Sequence, residues 1–555
     1  MIRIRTYFLV FSAICLAPQA RAALKWQGCG DLADAQFELA DIATRAKDMV
    51  SEPMKMAFDL LASPSQDAKG MVDVYFTERL GRVRKFDSKT GTVSTLASIP
   101  LQIDAGNSSD GVMGIALDPG FKSNHRLYLY YTYVSASEKS WRVSRFELNA
   151  AHTILDPASE IPVLKIPIRP GSKHPGGAMK FDAYGDLWIG TGNDYQDGSD
   201  YPLFSSPNTN DLRGKILRIH PKPDGTYSIP DGNLFAPGTA RTKPEIYVMG
   251  SRNPYTLTLD PVRRWLLWGD IGPDTKDFNG DPMNSGGPEK TEEYDLAKAA
   301  GNYGYPFFAG DFATLPGTDV DAPAMPAGYD WEDAEPGLTT LPEAVPPIYA
   351  YKKSCAITGP LYRYDGDLNS SIKFPPHFHR KWLVTDFNDG YNKITAFTLN
   401  EEGTSITAQE EVLPGFPLHG PLDMEFGPDG ALYVNNYAGN RNSTSATGIV
   451  RIGYKGDCRP GEPKLEQADG SPIVKGMVPA RGLRVEILQG KRLAVSVAAE
   501  GRIDLEVRDL RGRPIASKST YGQAPASLDE VRAPGIYFLR VRCEAGSRLI
   551  RIAKE

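Results

Sequence analysis

His174 is the residue best suited to take up a proton. It stands in Lys173-His-Pro-Gly-Gly-Ala-Met-Lys180, ahead of a glycine pair and a strand-like run. An imidazole titrating near neutrality can take the proton of a hydroxyl group, and a loop at a strand entrance exposes it at the end of a sheet. Arg252 and Asn253 follow in Ser251-Arg-Asn-Pro-Tyr255. A guanidinium keeps its charge and presents planar donors that grip a carbonyl or carboxylate oxygen. Asp270-Ile-Gly-Pro-Asp274 offers main-chain carbonyls at Gly272 and Pro273, and Asp274, Asp277 and Asp281 make the stretch acidic. Hard oxygen donors of this kind suit Ca2+. Each pattern also has an ordinary reading: a surface histidine, an arginine tying a turn, a solvated acidic loop.

Two further histidine patterns are weaker. His419, in Pro417-Leu-His-Gly420, is placed as a second channel group or as a packing or exposed side chain, and His377-Phe-His379 reads as a surface loop, because no third metal ligand accompanies it. No glycine-rich dinucleotide fingerprint, phosphate loop, serine elbow or zinc-protease motif occurs.

The elements that must position these groups come from repetition. Six short apolar strands rich in Tyr and Trp recur: Val72–Thr77, Arg126–Tyr131, Asp186–Gly190, Arg264–Trp268, Lys381–Thr385 and Ala431–Asn435. Five are followed by a second alternating strand, at Gly81–Phe86, Trp141–Phe146, Gly214–Ile219, Asn392–Phe397 and Gly448–Ile452; the fourth has only a weak partner near Glu293–Leu296. Alternation buries one face of each strand. Sheets packed radially around an axis bury both faces and leave short edges. The expected fold is all-β: a six-bladed β-propeller and a small C-terminal β-sandwich. Long Pro- and Gly-rich insertions between about Asp274 and Ala356 are expected on one face, over the axial channel.

The expected domains are a signal peptide at 1–22, an N-terminal helical segment at 23–52, the propeller at 53–456, a linker at 457–481 and the sandwich at 482–555. The leader rests on Arg3 and Arg5, an apolar run from Tyr7 to Leu16, and Ala20-Arg-Ala22. That run is too short to span a bilayer, so the protein is expected to be secreted or at the cell surface. The helix rests on the spacing of Leu32, Phe37, Leu39, Ile42 and Met49. Export removes Cys15 and leaves Cys29, Cys355, Cys458 and Cys543, as disulfides or buried thiols. A net charge of −6 with no Lys/Arg cluster argues against nucleic acid as a partner.

The stretches Ser109–Pro119, His174–Phe181, Gly214–Arg218, Gly250–Pro254, Gly301–Pro306 and Gly427–Gly430 together resemble the glucose/sorbosone dehydrogenase family, from about Pro53 to Tyr454. That resemblance implies a quinoprotein oxidising aldose sugars with pyrroloquinoline quinone (PQQ) and Ca2+, and passing electrons to an external acceptor. It implies His174 as the catalytic base and Arg252 and Asn253 at the reactive carbonyl of the cofactor. Ser109, Asp110 and Tyr255 would line the cofactor, Ser109 and Tyr255 standing where the family carries Gln. Gly272 and Pro273 would hold the cofactor-bridging ion, and Glu293 and Tyr303 a second, structural calcium. The family's three cations for the quinone carboxylates would fall near Asn388 and at Gly420 and Leu422, where this chain has none. Lys180, Arg213, Arg363 or Lys393 would have to substitute; otherwise the propeller is a non-catalytic binder of glycans or protein partners. The last 55 or so residues, with Val507–Arg513, Pro534–Arg540 and Arg548–Ile552, resemble a type IX secretion sorting domain, which implies outer-membrane secretion machinery as a partner.

Overall fold

The computed structural model describes residues 25–26 and 30–456 apart from 60–71, 102, 104–108, 170, 195–204, 273–290, 309, 311–334, 353–354, 367, 388–392 and 439–443; beyond these it describes only strands between 484 and 554. The leader, the linker, Pro273, Asn388, most of the long insertion and any pairing of Cys355 with Cys29, Cys458 or Cys543 lie outside the described residues.

Six antiparallel sheets form the blades. Blade one holds Pro53–Ala57, Val74–Glu78, Arg82–Asp87 and Thr92–Ser98; blade two holds Val112–Leu117, Arg126–Val134, Lys139–Leu148 and Leu155–Pro167. Blade three holds Gly176–Phe181, Leu187–Thr191, Lys215–Pro221 and Ile246–Met249, extended by the parallel strand Gly301–Asn302. Blade four holds Thr256–Leu259, Leu266–Asp270, Thr291–Ala297 and Tyr349–Lys352. Blade five holds Ala356–Leu361, Lys381–Asp386, Ile394–Leu399 and Ile406–Val412. Blade six holds Pro421–Phe426, Leu432–Asn436 and Gly448–Tyr454, and its fourth strand is Phe37–Thr44. The first strands touch their neighbours in order around a ring, and blade six meets blade one. Blade four therefore faces blade one across the axis.

The aromatic repeats are the second strands. Each is covered by blades on both sides, which is why Tyr75, Tyr130, Trp188, Trp268, Trp382 and Tyr433 are all buried.

Phe37–Thr44 corrects the expected N-terminal helix. It pairs antiparallel with Gly448–Tyr454, from Phe37 opposite Tyr454 to Thr44 opposite Gly448. It buries Phe37, Ile42 and Ala43 and closes the ring with the start of the chain. Without it the last strand would present an open edge. Among the described residues of 25–52, helical structure is limited to one turn at Arg45–Asp48, capped by the Thr44 hydroxyl on Lys47 N at 3.1 Å, and a 3-10 turn at Asp34–Gln36. The propeller thus begins at Phe37, not at 53.

Beyond residue 482 the chain forms two antiparallel sheets. One contains Arg484–Leu488, Ala494–Ala498 and Ala526–Ser527; the other contains Pro514–Tyr521, Arg502–Arg508, Gly535–Cys543 and Gly546–Lys554. Among the described residues no helix is long and apolar enough to cross a membrane.

Candidate active site at the propeller mouth

The first strands of blades two, three and four enter the ring from one end. Ser109 and Asp110 precede the first, His174 the second, and Arg252 to Tyr255 the third. Gly272 follows the antiparallel second strand of blade four and so returns to the same end.

His174 has φ 56°, a left-handed conformation that costs a non-glycine residue about 1 kcal/mol. Its neighbours hold that conformation. Nδ1 donates to Asn193 Oδ1 at 2.9 Å, which leaves the lone pair on Nε2. Gly176 N donates to Asn253 Oδ1 at 3.0 Å. Gly192 must be glycine here: a Cβ would lie 1.7 Å from the His174 carbonyl oxygen. Burial, reinforced by the Arg252 guanidinium and by Lys173 against the Asn193 bond, pulls the imidazole well below its usual 6.5. A neutral ring is what a base requires.

Arg252 is buried and joined to blade four. Asp270 accepts its main-chain N–H at 2.8 Å and that of Asn253 at 2.7 Å, and the Asn193 main-chain N–H donates to the Arg252 carbonyl at 2.9 Å. The guanidinium donates to the Ile271 carbonyl at 3.1 Å and the Gly272 carbonyl at 2.7 Å. The Gly272 oxygen assigned by resemblance to calcium thus receives the arginine here. Imidazole, guanidinium and this carbonyl meet at one mouth.

Four buried carboxylates lie behind it. Asp270 stands opposite Glu293, and Asp295 opposite Trp268, so Asp270, Glu293 and Asp295 share one face of the sheet. Burial lifts Asp270 to about 6 against the opposing N–H bonds and Arg252. Glu292, on the other face, accepts from Gly272 N at 3.1 Å and Ala356 N at 3.0 Å, and burial lifts it to about 8. Burial also pushes Glu293 and Asp295 well above the usual carboxylate range, with neighbouring carboxylates adding to both shifts. Glu293 accepts from Gly310 N, whereas neither Asp295 oxygen has a hydrogen-bond partner among the described residues. Tyr303 packs edge-on against Trp268 at 4.7 Å, and burial, with Asp295 adding to it, raises its phenol.

The remaining predicted residues spread out. The Asp110 carbonyl at the rim accepts from Arg79 Nη1 at 3.0 Å. Tyr255 is buried beneath the mouth, against Lys55. Each proposed substitute cation is held by a carboxylate: Lys180 by Glu425, Arg213 by Asp194 and Asp211, Arg363 by Asp260, Lys393 by Glu411. His419 is exposed at the entrance to blade six. His377 is not on a surface loop; it is buried against Glu410 at 3.0 Å and Lys381 at 2.8 Å, while His379 Nδ1 accepts from Tyr364 N. Asn193, Asp270, Glu292 and Asp295 were not anticipated. One signal pointed to the acids: Glu293-Tyr-Asp295 places carboxylates at strand period inside an apolar sheet.

Residues 67–443 match the family model described as glucose/sorbosone dehydrogenase. The aldose sugar dehydrogenase YliI of Escherichia coli is 24% identical over 395 residues, which cover 70% of this chain and 88% of that protein. A putative oxidoreductase (glucose dehydrogenase) from Thermus thermophilus superposes with a TM-score of 0.52 at 24% identity, covering 75% of this chain and 99% of the other. The PQQ-bound aldose sugar dehydrogenase of Streptomyces coelicolor gives 0.50 at 20% identity, with 75% and 98% covered. With a matched span longer than half the sequence, and the expected six-bladed ring around it, the chain belongs to the glucose/sorbosone dehydrogenase family.

Proposed function

We propose that the protein oxidises aldose sugars at C1, with PQQ and Ca2+ at the propeller mouth and an external electron acceptor. The observation that carries this reading is the His174 imidazole, hydrogen-bonded through Nδ1 to Asn193 Oδ1, at the same mouth as the Arg252 guanidinium. The C1 hydroxyl proton goes to His174 Nε2, and Arg252 and Asn253 orient the oxygens across the mouth. PQQ, when bound, supplies the carbonyl that accepts the hydride. Its carbonyl end fits the donors present. Among the described residues no three acidic, histidine or cysteine side chains form a metal cluster; the cation reading rests on blade four, where Asp270, Glu293 and Asp295 share one face of the sheet and neither Asp295 oxygen has a hydrogen-bond partner among the described residues.

One observation favours the second reading, a non-catalytic binder: Lys180, Arg213, Arg363 and Lys393 are each already paired. Dye reduction by the full chain loaded with Ca2+ and PQQ separates the two. Turnover with aldoses that His174→Ala and Arg252→Ala lose, with unchanged melting, supports the enzyme; equal activity in those variants, or none in the parent chain, overturns it. The leader at 1–22 supports secretion. The two C-terminal sheets are in keeping with a sorting-like sandwich that would engage outer-membrane secretion machinery.

A further inference from the structure

Lys55 belongs to the innermost strand of blade one, yet its ammonium lies 3.8 Å from the ring centre of Tyr255 in blade four, the opposite blade. The side chain therefore reaches across the axis, beneath the mouth. Asp423 of blade six forms an ion pair with it at 3.8 Å, too long for a hydrogen bond, and its other oxygen accepts from Met56 N at 2.9 Å. Lys55 is 5% exposed and Tyr255 7%, but neither the ammonium nor the phenol has a hydrogen-bond partner among the described residues. Buried donors left unmade are costly, and an ammonium has three of them. Lys180, on the first strand of blade three, is neutralised by Glu425, so this second tunnel lysine is not left in the same state. Burial lowers Lys55 to about 8, with Asp423 opposing the shift, and it remains cationic at neutral pH.

We propose that Lys55 and Tyr255 form a carboxylate seat on the propeller axis, which takes the acidic end of a ligand whose carbonyl end meets Arg252 and His174. The inference rests on the quinone reading above and supplies the charge that blade six lacks at Gly420 and Leu422. The strand bearing Leu422 abuts the strand bearing Lys55, so the cation is moved one strand along the ring. A carboxylate from PQQ or from a free organic acid offers the same acceptors.

Calorimetric titration of the full chain with PQQ and, separately, with phthalate distinguishes these sources, because phthalate carries two carboxylates and no quinone. Lys55→Met is expected to weaken both by roughly 30-fold, the scale of one charge-assisted hydrogen bond, and Tyr255→Phe by about 5-fold. Parent-like affinity in Lys55→Met overturns the seat while leaving sugar oxidation standing. Phthalate binding that depends on Lys55, without PQQ binding, upholds the seat and removes the quinone reading. Failure of the parent chain to bind either ligand overturns the seat. Should Lys55→Met not fold, Tyr255→Phe decides: it keeps charge and volume, and an unchanged affinity for both ligands overturns the proposal.

Discussion

Blades three and four flank the same mouth but handle buried charge in opposite ways. In blade three each cation is matched. Arg213 binds Asp194 at 2.7 Å and Asp211 at 2.6 Å, and fully buried Lys215 donates to the carbonyls of Ser205, Ser206 and Arg213 at 2.6, 2.9 and 2.7 Å. In blade four Asp270 and Glu292 face one cation, Arg252, while Glu293 and Asp295 face other carboxylates, and Asp295 has no hydrogen bond among the described residues. A satisfied buried charge holds backbone in place, whereas an unsatisfied one costs stability until something binds. Blade three is thus a scaffold. It runs from Lys215 through Ser205, whose hydroxyl donates to the Asn193 carbonyl at 2.8 Å, to the His174 imidazole. Blade four is the acidic side, the proposed receptor, where the cation would bind.

The largest expected effect breaks the scaffold. Lys215→Met strands three buried carbonyls and is expected to cost about 3 kcal/mol of unfolding free energy. Denaturant titration measures it. A loss below about 1 kcal/mol would show that the two blades do not differ as argued. The same substitution should leave the response to added Ca2+ intact.

The receptor makes the converse claim. Added Ca2+ should raise the melting temperature of the parent chain, by an amount equivalent to about 2.7 kcal/mol at roughly a hundredfold excess over Kd. Asp295→Asn should melt as high as the parent chain, or higher, without metal, because it replaces a carboxyl whose ionised form burial disfavours, and should lose most of the calcium-dependent gain. A full gain in this variant would take Asp295 out of the site, and an unchanged parent chain would remove the receptor altogether.

The sequence revealed the two blades unequally. Strand alternation and six aromatic repeats were enough to predict the ring, because a second strand covered on both faces must be apolar along its length. Phe37–Thr44 misled: its apolar residues fit a helical spacing, and only the open edge of Gly448–Tyr454, far along the chain, makes it a strand. His174 and Arg252 were legible because an imidazole before two glycines and an arginine in a tight turn are distinctive side chains. Asn193 and Lys215 were not: an amide and a lysine near a strand end signal nothing until the fold brings them to a ring nitrogen and three carbonyls. Asp295 was half legible, since acids at strand period inside an apolar sheet are unusual, but its lack of a partner is a property of packing alone.

The finest difference between the blades concerns what holds His174, the proposed base. His174 leans on a neutral amide from the scaffold side and faces a guanidinium from the receptor side; burial and that guanidinium disfavour the imidazolium. Its pKa in the fold is lowered, so the fold binds fewer protons than the unfolded chain below the unfolded value near 6.5. Stability from this group is complete above that value and declines as pH falls through it. For activity the same shift keeps the base neutral, so kcat/KM should stay flat on descending through pH 6.5, with its acid limb lower. Asn193→Asp puts a carboxylate on Nδ1. An opposite charge at that distance raises an imidazole pKa by about 1–3 pH units, so the acid limb should move up by that amount, with plateau activity within about tenfold of the parent chain. If the limb stays put while the plateau falls, Asn193 only supports the loop; if it moves, the scaffold blade sets the basicity of the group that takes the proton.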